Sequence, residues 1–323
     1  MLNKIRSNYI LKNITSYLNP RIYLLLYKYN KNLQKKFELT KKDYKEYNQI
    51  EIEIIPTESI KEGKNTIIHY FNDEKQYYHI FIDDKELNKR NYFRKKENVK
   101  KIKVLIDFEI NSLKRLFHGC EYIKEINFVK FNRNNIINMS FLFCDCFNLI
   151  NINLSKIRTN KVKYMNSMFA NCRNIKQLKL SNFNTSNVER MDEMFEGCVL
   201  FDLDLSNFNT SNVTNMNKMF FGCYNLKNLN ISNFNTSKVN EMSHMFFYCS
   251  HLISLDVSSF NTSHVFTMEY MFGLCMSLID LNIANFYIDD NTYVTNMFSC
   301  CSPELINKIK KQKNKLKNIV FHY

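Results

Sequence analysis

Apolar positions recur along this chain with one long period. A Phe stands three residues before a Cys at 117, 143, 169, 195, 220, 246, 272 and 298, in steps of 26 or 25. The matching cysteines are Cys120, Cys146, Cys172, Cys198, Cys223, Cys249, Cys275 and Cys301. Other columns keep the step. Leu178/Leu180, Leu203/Leu205, Leu229/Ile231, Leu255/Val257 and Leu281/Ile283 form apolar-x-apolar pairs, each followed by a Phe at 183, 208, 234, 260 or 286. Val213, Met216, Met219 and Phe220, with their equivalents, make a third set. Seven near-equal steps held in several columns at once define an internal repeat.

Each column predicts a local structure. Apolar residues two apart, as at Leu203 and Leu205, suit a short strand with one buried face. Val213, Met216, Met219 and Phe220 are spaced 3, 3 and 1, a helical stripe of two turns. Asn209-Thr210-Ser211-Asn212 before it are residues that cap helices and make turns. One unit therefore reads as strand, turn, short helix or 3₁₀ turn, turn. A unit of 26 residues cannot bury its own apolar face, so neighbours must stack. The expected fold class is an α/β repeat solenoid of the leucine-rich-repeat type, with about eight units over residues 101–302.

The segment Asp204-Leu205-Ser206-Asn207-Phe208-Asn209-Thr210-Ser211-Asn212-Val213, followed by Met216, Met219-Phe220 and Cys223, resembles the BspA-like leucine-rich-repeat family. That family's repeats run LDLSNFNTSNVTNMxxMFxxC, and the resemblance covers roughly residues 101–302. It implies a right-handed solenoid with its strands on one side and a protein-binding role, often that of a microbial surface or adhesion protein. Departures exist: Ile157-Arg158-Thr159-Asn160 stands where F-N-T-S is usual, and the first units are degenerate, as end caps are.

Two modules precede the repeats. Residues 1–46 carry helical stripes, with Asn19-Pro20 as a break between two helices. The run from Ile10 to Pro20 is similar to the start of an F-box, L-x-x-I-x-x-Y-L-x-P. That resemblance implies a helical module docking on a ubiquitin-ligase core, with Leu11, Ile14, Leu18 and Pro20 near the contact. The other reading is an ordinary helical cap. Residues 47–100 read as β-rich, since Ile50-Glu51-Ile52-Glu53-Ile54 alternates strictly and further apolar runs follow between Asn/Asp turns. Residues 303–323 read as a basic amphipathic capping helix, started by Ser302 and Pro303.

Charge sharpens this division. The chain carries +14 overall. Residues 1–100 hold 21 basic and 13 acidic residues, residues 101–302 hold 18 and 17, and residues 303–323 hold 6 and 1. The repeats are near neutral and the excess sits at the two ends. With no RNA-recognition, zinc or helix-turn-helix pattern beside it, this excess does not predict a nucleic-acid partner. No apolar run approaches the ~18 residues of a membrane span. Met1 to Arg6 is charged but no apolar h-region follows, so a secretory signal is not expected and a cytoplasmic location is, with the cell surface as the alternative.

Eight of the 10 cysteines are one repeat position, and Cys144 and Cys300 alone lie outside it. Neither Cys144-x-Cys146 nor Cys300-Cys301 has a second pair or a His at zinc-finger spacing, so no metal site is expected. A Cys three residues after Phe fills a small apolar slot. Phe169, Cys172, Phe195, Cys198, Phe220, Cys223, Phe246, Cys249, Phe272 and Cys275 are accordingly expected as structural core. The seven His are scattered, and no Walker loop, dinucleotide fingerprint, H-E-x-x-H motif or nucleophile pattern is present. The expectation is a non-catalytic scaffold without cofactor. It would bind a protein partner on the solenoid's concave face through the exposed strand column Asn153, Lys179, Asp204, Asn230, Asp256 and Asn282.

Overall fold

The computed structural model describes residues 48–312, except 59, 88 and 89, together with the single positions 32, 35 and 45. It begins with the alternating isoleucines. Ile50, Ile52 and Ile54 are fully buried on one face of β1 (Ile50–Pro56). Five further strands follow: β2 (Asn65–Thr66), β3 (Tyr78–Ile82), β4 (Lys85–Glu86), β5 (Tyr92–Phe93) and, at the start of the repeat region, β6 (Ile102–Ile106). β7 (Ile123–Phe131) and β8 (Asn151–Asn153) come from the first repeats. β1 lies between β6 and β7 and is antiparallel to both, and the sheet order is β4-β3-β6-β1-β7-β8. β7 pairs with β8 in parallel, Ile126 opposite Ile152. One sheet thus runs from the β-rich segment into the repeats. β2 and β5 form a separate antiparallel pair.

Within the repeats the strands are short. β9 (Asp202–Asp204) pairs in parallel with β10 (Asn228–Asn230), and β11 (Ser254–Leu255) with β12 (Asp280–Leu281). A second line of contact is a ladder of single parallel bridges. It runs Ser112, Asn138, Tyr164, Arg190, Asn215, Glu241, Thr267 and Tyr293, one residue per repeat.

The expected fold class, a leucine-rich-repeat-type α/β solenoid with a strand and a short helix in each unit, is overturned here. Residues 101–302 contain no α-helix; β6, β7 and β8 belong to the six-stranded sheet, and the later strands lie in separate two-stranded sheets. The stripe Val213, Met216, Met219, Phe220 shows why. A helix would send each amide to the carbonyl four residues back. Instead the amides of Met216, Lys218 and Phe220 donate to Glu241, Ser243 and Met245 of the following repeat, at 3.0, 3.0 and 2.9 Å. Lys218 between them takes the left-handed conformation, φ 53°. The 3-residue spacing therefore comes from turns that face the neighbouring repeat.

These turns close over one core. Val213, Met216, Met219 and Phe220 are all fully buried, as are their equivalents Val239, Met242, Met245 and Phe246. Rings of successive repeats stack: Phe169–Phe195, Phe195–Phe220, Phe220–Phe246 and Phe246–Phe272 have centroids 5.9, 5.7, 5.5 and 5.6 Å apart and near-parallel planes. Such pairs contribute about 0.5–1.5 kcal/mol each beyond area burial. At the end of the array α1 (Pro303–Gln312) covers the last repeat with Leu305, Ile306 and Ile309. Ser302 caps it, its Oγ accepting the Leu305 amide at 3.2 Å, and Pro303 occupies the first turn, where no amide donor is needed.

Candidate functional site

The Asn/Asp column on the strand side arises from turn chemistry. Asp204 Oδ1 accepts the Ser206 amide at 2.9 Å, Asp256 Oδ1 the Ser258 amide at 2.9 Å, and Asn153 and Asn282 accept from Ser155 and Ala284 at 3.1 and 2.9 Å. Asn230 Oδ1 accepts the Ser232 hydroxyl at 3.0 Å. Each is an Asx turn that bends the chain as it leaves the strand. Both carboxyls are held below their usual range. At Asp204 the Ser206 amide is the first cause and at Asp256 the Ser258 hydroxyl, because hydrogen bonds to the ionised form favour it. The sequence reads this column as a solvated strand face that could bind a partner; the structure adds a turn-forming role.

All six residues of the column, Lys179 included, are exposed. They divide between two open depressions. One, of about 660 Å³, is lined by Asn153 and Lys179 with Glu53, Glu125 and Ile150. The other, of about 330 Å³, is lined by Asp202, Asp204, Asn230 and Asp256 with Lys227. Asn282 lines neither.

Apolar residues flank this polar column. Ile150, Phe201 and Ile253, each three residues before a column residue, are 41, 45 and 54% exposed. The column from Asn153 to Asn282 itself contains no aromatic residue. The missed signal was local: Phe201 lies in the stretch between Phe195 and Phe220, the single step of 25, where the unit departs from its pattern. An exposed aromatic beside carboxylates and amides is the composition of a protein-recognition surface.

The cysteine column has no reactive character. Each Sγ donates to a backbone carbonyl of an earlier segment, as Cys172 does to Phe143 at 3.2 Å and Cys223 to Phe195 at 3.1 Å. Burial pushes these thiols far up, Cys198 to about 12, which leaves no thiolate at neutral pH. The suggested adaptor contacts Leu11, Ile14, Leu18 and Pro20 lie outside the described residues. Among the described residues no helix is long and apolar enough to cross a membrane. One set of three metal-ligating side chains converges there, His118, Cys144 and Asp145.

A family model described as "Mycoplasma protein of unknown function, DUF285" matches residues 111–228 and 201–311. No curated protein and no solved structure matches the chain.

Proposed function

This chain belongs to the DUF285 family of Mycoplasma-type proteins, whose description assigns no activity, and from that premise we propose that it is a non-catalytic scaffold that binds a protein partner on its strand-side face. The observation that carries this reading is an exposed aromatic, Phe201, next in the chain to Asp202, which lines a depression with Asp204, Asn230 and Asp256. A desolvated aromatic ringed by polar groups is the usual anatomy of a protein-binding hot spot. The repeats supply a rigid base, because every unit is hydrogen-bonded to the next. The face is polar and bears both signs of charge, Lys179 and Lys227 beside Asp202, Asp204 and Asp256. It suits a folded protein better than a uniformly charged polymer.

A cytoplasmic setting belongs to the same proposal. The eight column thiols are used as hydrogen-bond donors to carbonyls, from Cys120 to Cys301, which requires them reduced.

The test is affinity capture from lysate of the source cell, with intact chain and two variants. Phe201→Ser removes the aromatic, and Asp204→Asn with Asp256→Asn removes charge while keeping the Asx-turn acceptor. Proteins captured by the intact chain should be lost from both, with unfolding midpoints unchanged. Equal capture by all three chains would refute the face. Loss accompanied by unfolding would assign these residues to stability instead.

A further inference from the structure

His118 and Cys144 occupy the same column of the repeat, each directly after a core Phe, in successive units. Stacking brings them side by side, since adjacent parallel segments lie about 4.8 Å apart. Backbone bonds hold this juxtaposition. Phe117 and Gly119, on either side of His118, donate to Leu142 and Cys144 at 3.1 and 2.8 Å. Asp145 follows Cys144 in the left-handed conformation, φ 60°. Its Oδ2 stands 3.4 Å from Cys144 Sγ and 3.7 Å from His118 Nδ1. The nitrogen, sulfur and oxygen all lie within 4.8 Å of one another.

We propose that His118, Cys144 and Asp145 form a binding site for a divalent transition-metal ion of the zinc class. The site is independent of the strand-side face.

Three observations support it. First, the donor set is one imidazole, one thiol and one carboxylate, the ligand types that zinc and its neighbours select over magnesium or calcium. Three protein ligands leave a fourth tetrahedral position for water. Second, His118 Nδ1 is shielded from water and makes no hydrogen bond, the state of a donor atom lacking its ligand. Third, Asp145 is already oriented. Asn171, from the next repeat, donates Nδ2 to its other oxygen, Oδ1, at 2.9 Å, the outer-shell support typical of metal carboxylates. Arg115 lies over the Phe141 ring at 5.0 Å, and that ring stands 6.3 Å from the His118 ring. On binding, the sulfur bonds the ion as its proton leaves to buffer.

The sequence hides this site. His118 stands one repeat before Cys144 and Asp145, and Cys144 looks paired with Cys146. In the fold those two cysteines part: Cys146 turns inward and donates to Phe117 O at 3.0 Å, while Cys144 faces His118.

The experiment is titration of the reduced full-length chain with Co²⁺, followed by Zn²⁺ competition. One equivalent of Co²⁺ should give a thiolate-to-cobalt charge-transfer absorption that Zn²⁺ erases. Cys144→Ala and Asp145→Asn install residues that the next repeat carries at the same columns, Ala170 and Asn171, so the fold should tolerate them. Cys144→Ala should abolish the band and His118→Gln or Asp145→Asn should weaken binding. Asn171→Ala should weaken it roughly tenfold, as loss of outer-shell support does. Cys300→Ala should leave it unchanged. Denaturant should abolish the band in the intact chain. The proposal is overturned if the intact chain shows no band, or if the band survives Cys144→Ala or denaturation.

Discussion

Thr210 Oγ1 donates to the carbonyl of Asn235 at 2.9 Å and accepts the amide of the same residue at 2.8 Å. One hydroxyl thereby satisfies both backbone groups of a residue in the next repeat. Thr159, Thr185, Thr236 and Thr262 make the same two-way contact, and all are about 1% exposed. The Thr of N-F-N-T-S-N is thus a clamp between units.

Thr210→Val keeps the volume of the clamp and removes the hydroxyl. Two part-buried backbone groups of Asn235 lose their partner, at a cost of up to about 1–3 kcal/mol for each group left unsatisfied. The urea midpoint of the intact chain should fall clearly for Thr210→Val and much less for Thr210→Ser. Equal midpoints for the two variants would show that the hydroxyl carries no net stability.

The ring ladder makes a second prediction. Phe220 stacks between Phe195 and Phe246 and is fully buried. Phe220→Ala should destabilise by about 3–5 kcal/mol, and Phe220→Leu by less, because Leu refills part of the cavity. Denaturant titration of both variants tests the order.

Alkaline pH should weaken the fold through the thiols. The Cys198 thiol is raised from 9.0 to about 12 by burial. Between those values the unfolded chain has released this proton and the folded chain still holds it. The folded state binds more protons, so unfolding is favoured as pH rises. The contribution of Cys198 is complete below about pH 9 and declines by roughly 1.4 kcal/mol per pH unit from there toward 12. Denaturant midpoints compared at pH 8 and pH 10 should drop, and the drop should shrink in Cys198→Ala.

Thiol labelling separates the columns. Cys300 is the one exposed cysteine, whereas Cys172, Cys198, Cys223, Cys249 and Cys275 are buried and hydrogen-bonded. In native protein at neutral pH a thiol reagent should modify Cys300 rapidly and those five only on unfolding. Peptide mapping by mass spectrometry reads the result.

At the C-terminal end, Ser302→Ala removes the acceptor for the Leu305 amide. The expected loss is about 1 kcal/mol, and Ser302→Asp should restore most of it, since Asp is an equally good cap. Thermal unfolding of the two variants is the measurement.

Much of this architecture was legible in the sequence. The 26-residue step, the identity of the stacked Phe, Met and Cys columns and the start of α1 at Ser302-Pro303 follow from residue spacing, because stacked copies place like residues together. Spacing could not say how those columns are built. Val213-x-x-Met216-x-x-Met219 satisfies a helix and a turn equally well, and only the amides donated to Glu241, Ser243 and Met245 rule the helix out. Asp204 reads from the sequence as a solvated face, and only the bond from Ser206 makes it a turn former. His118, Cys144 and Asp145 carry no motif, since their proximity is created between units and not along the chain. Period and core composition are properties of one repeat and are written within it. Hydrogen-bond partners and side-chain clusters here are properties of two neighbouring repeats, so they exist only once the chain is stacked.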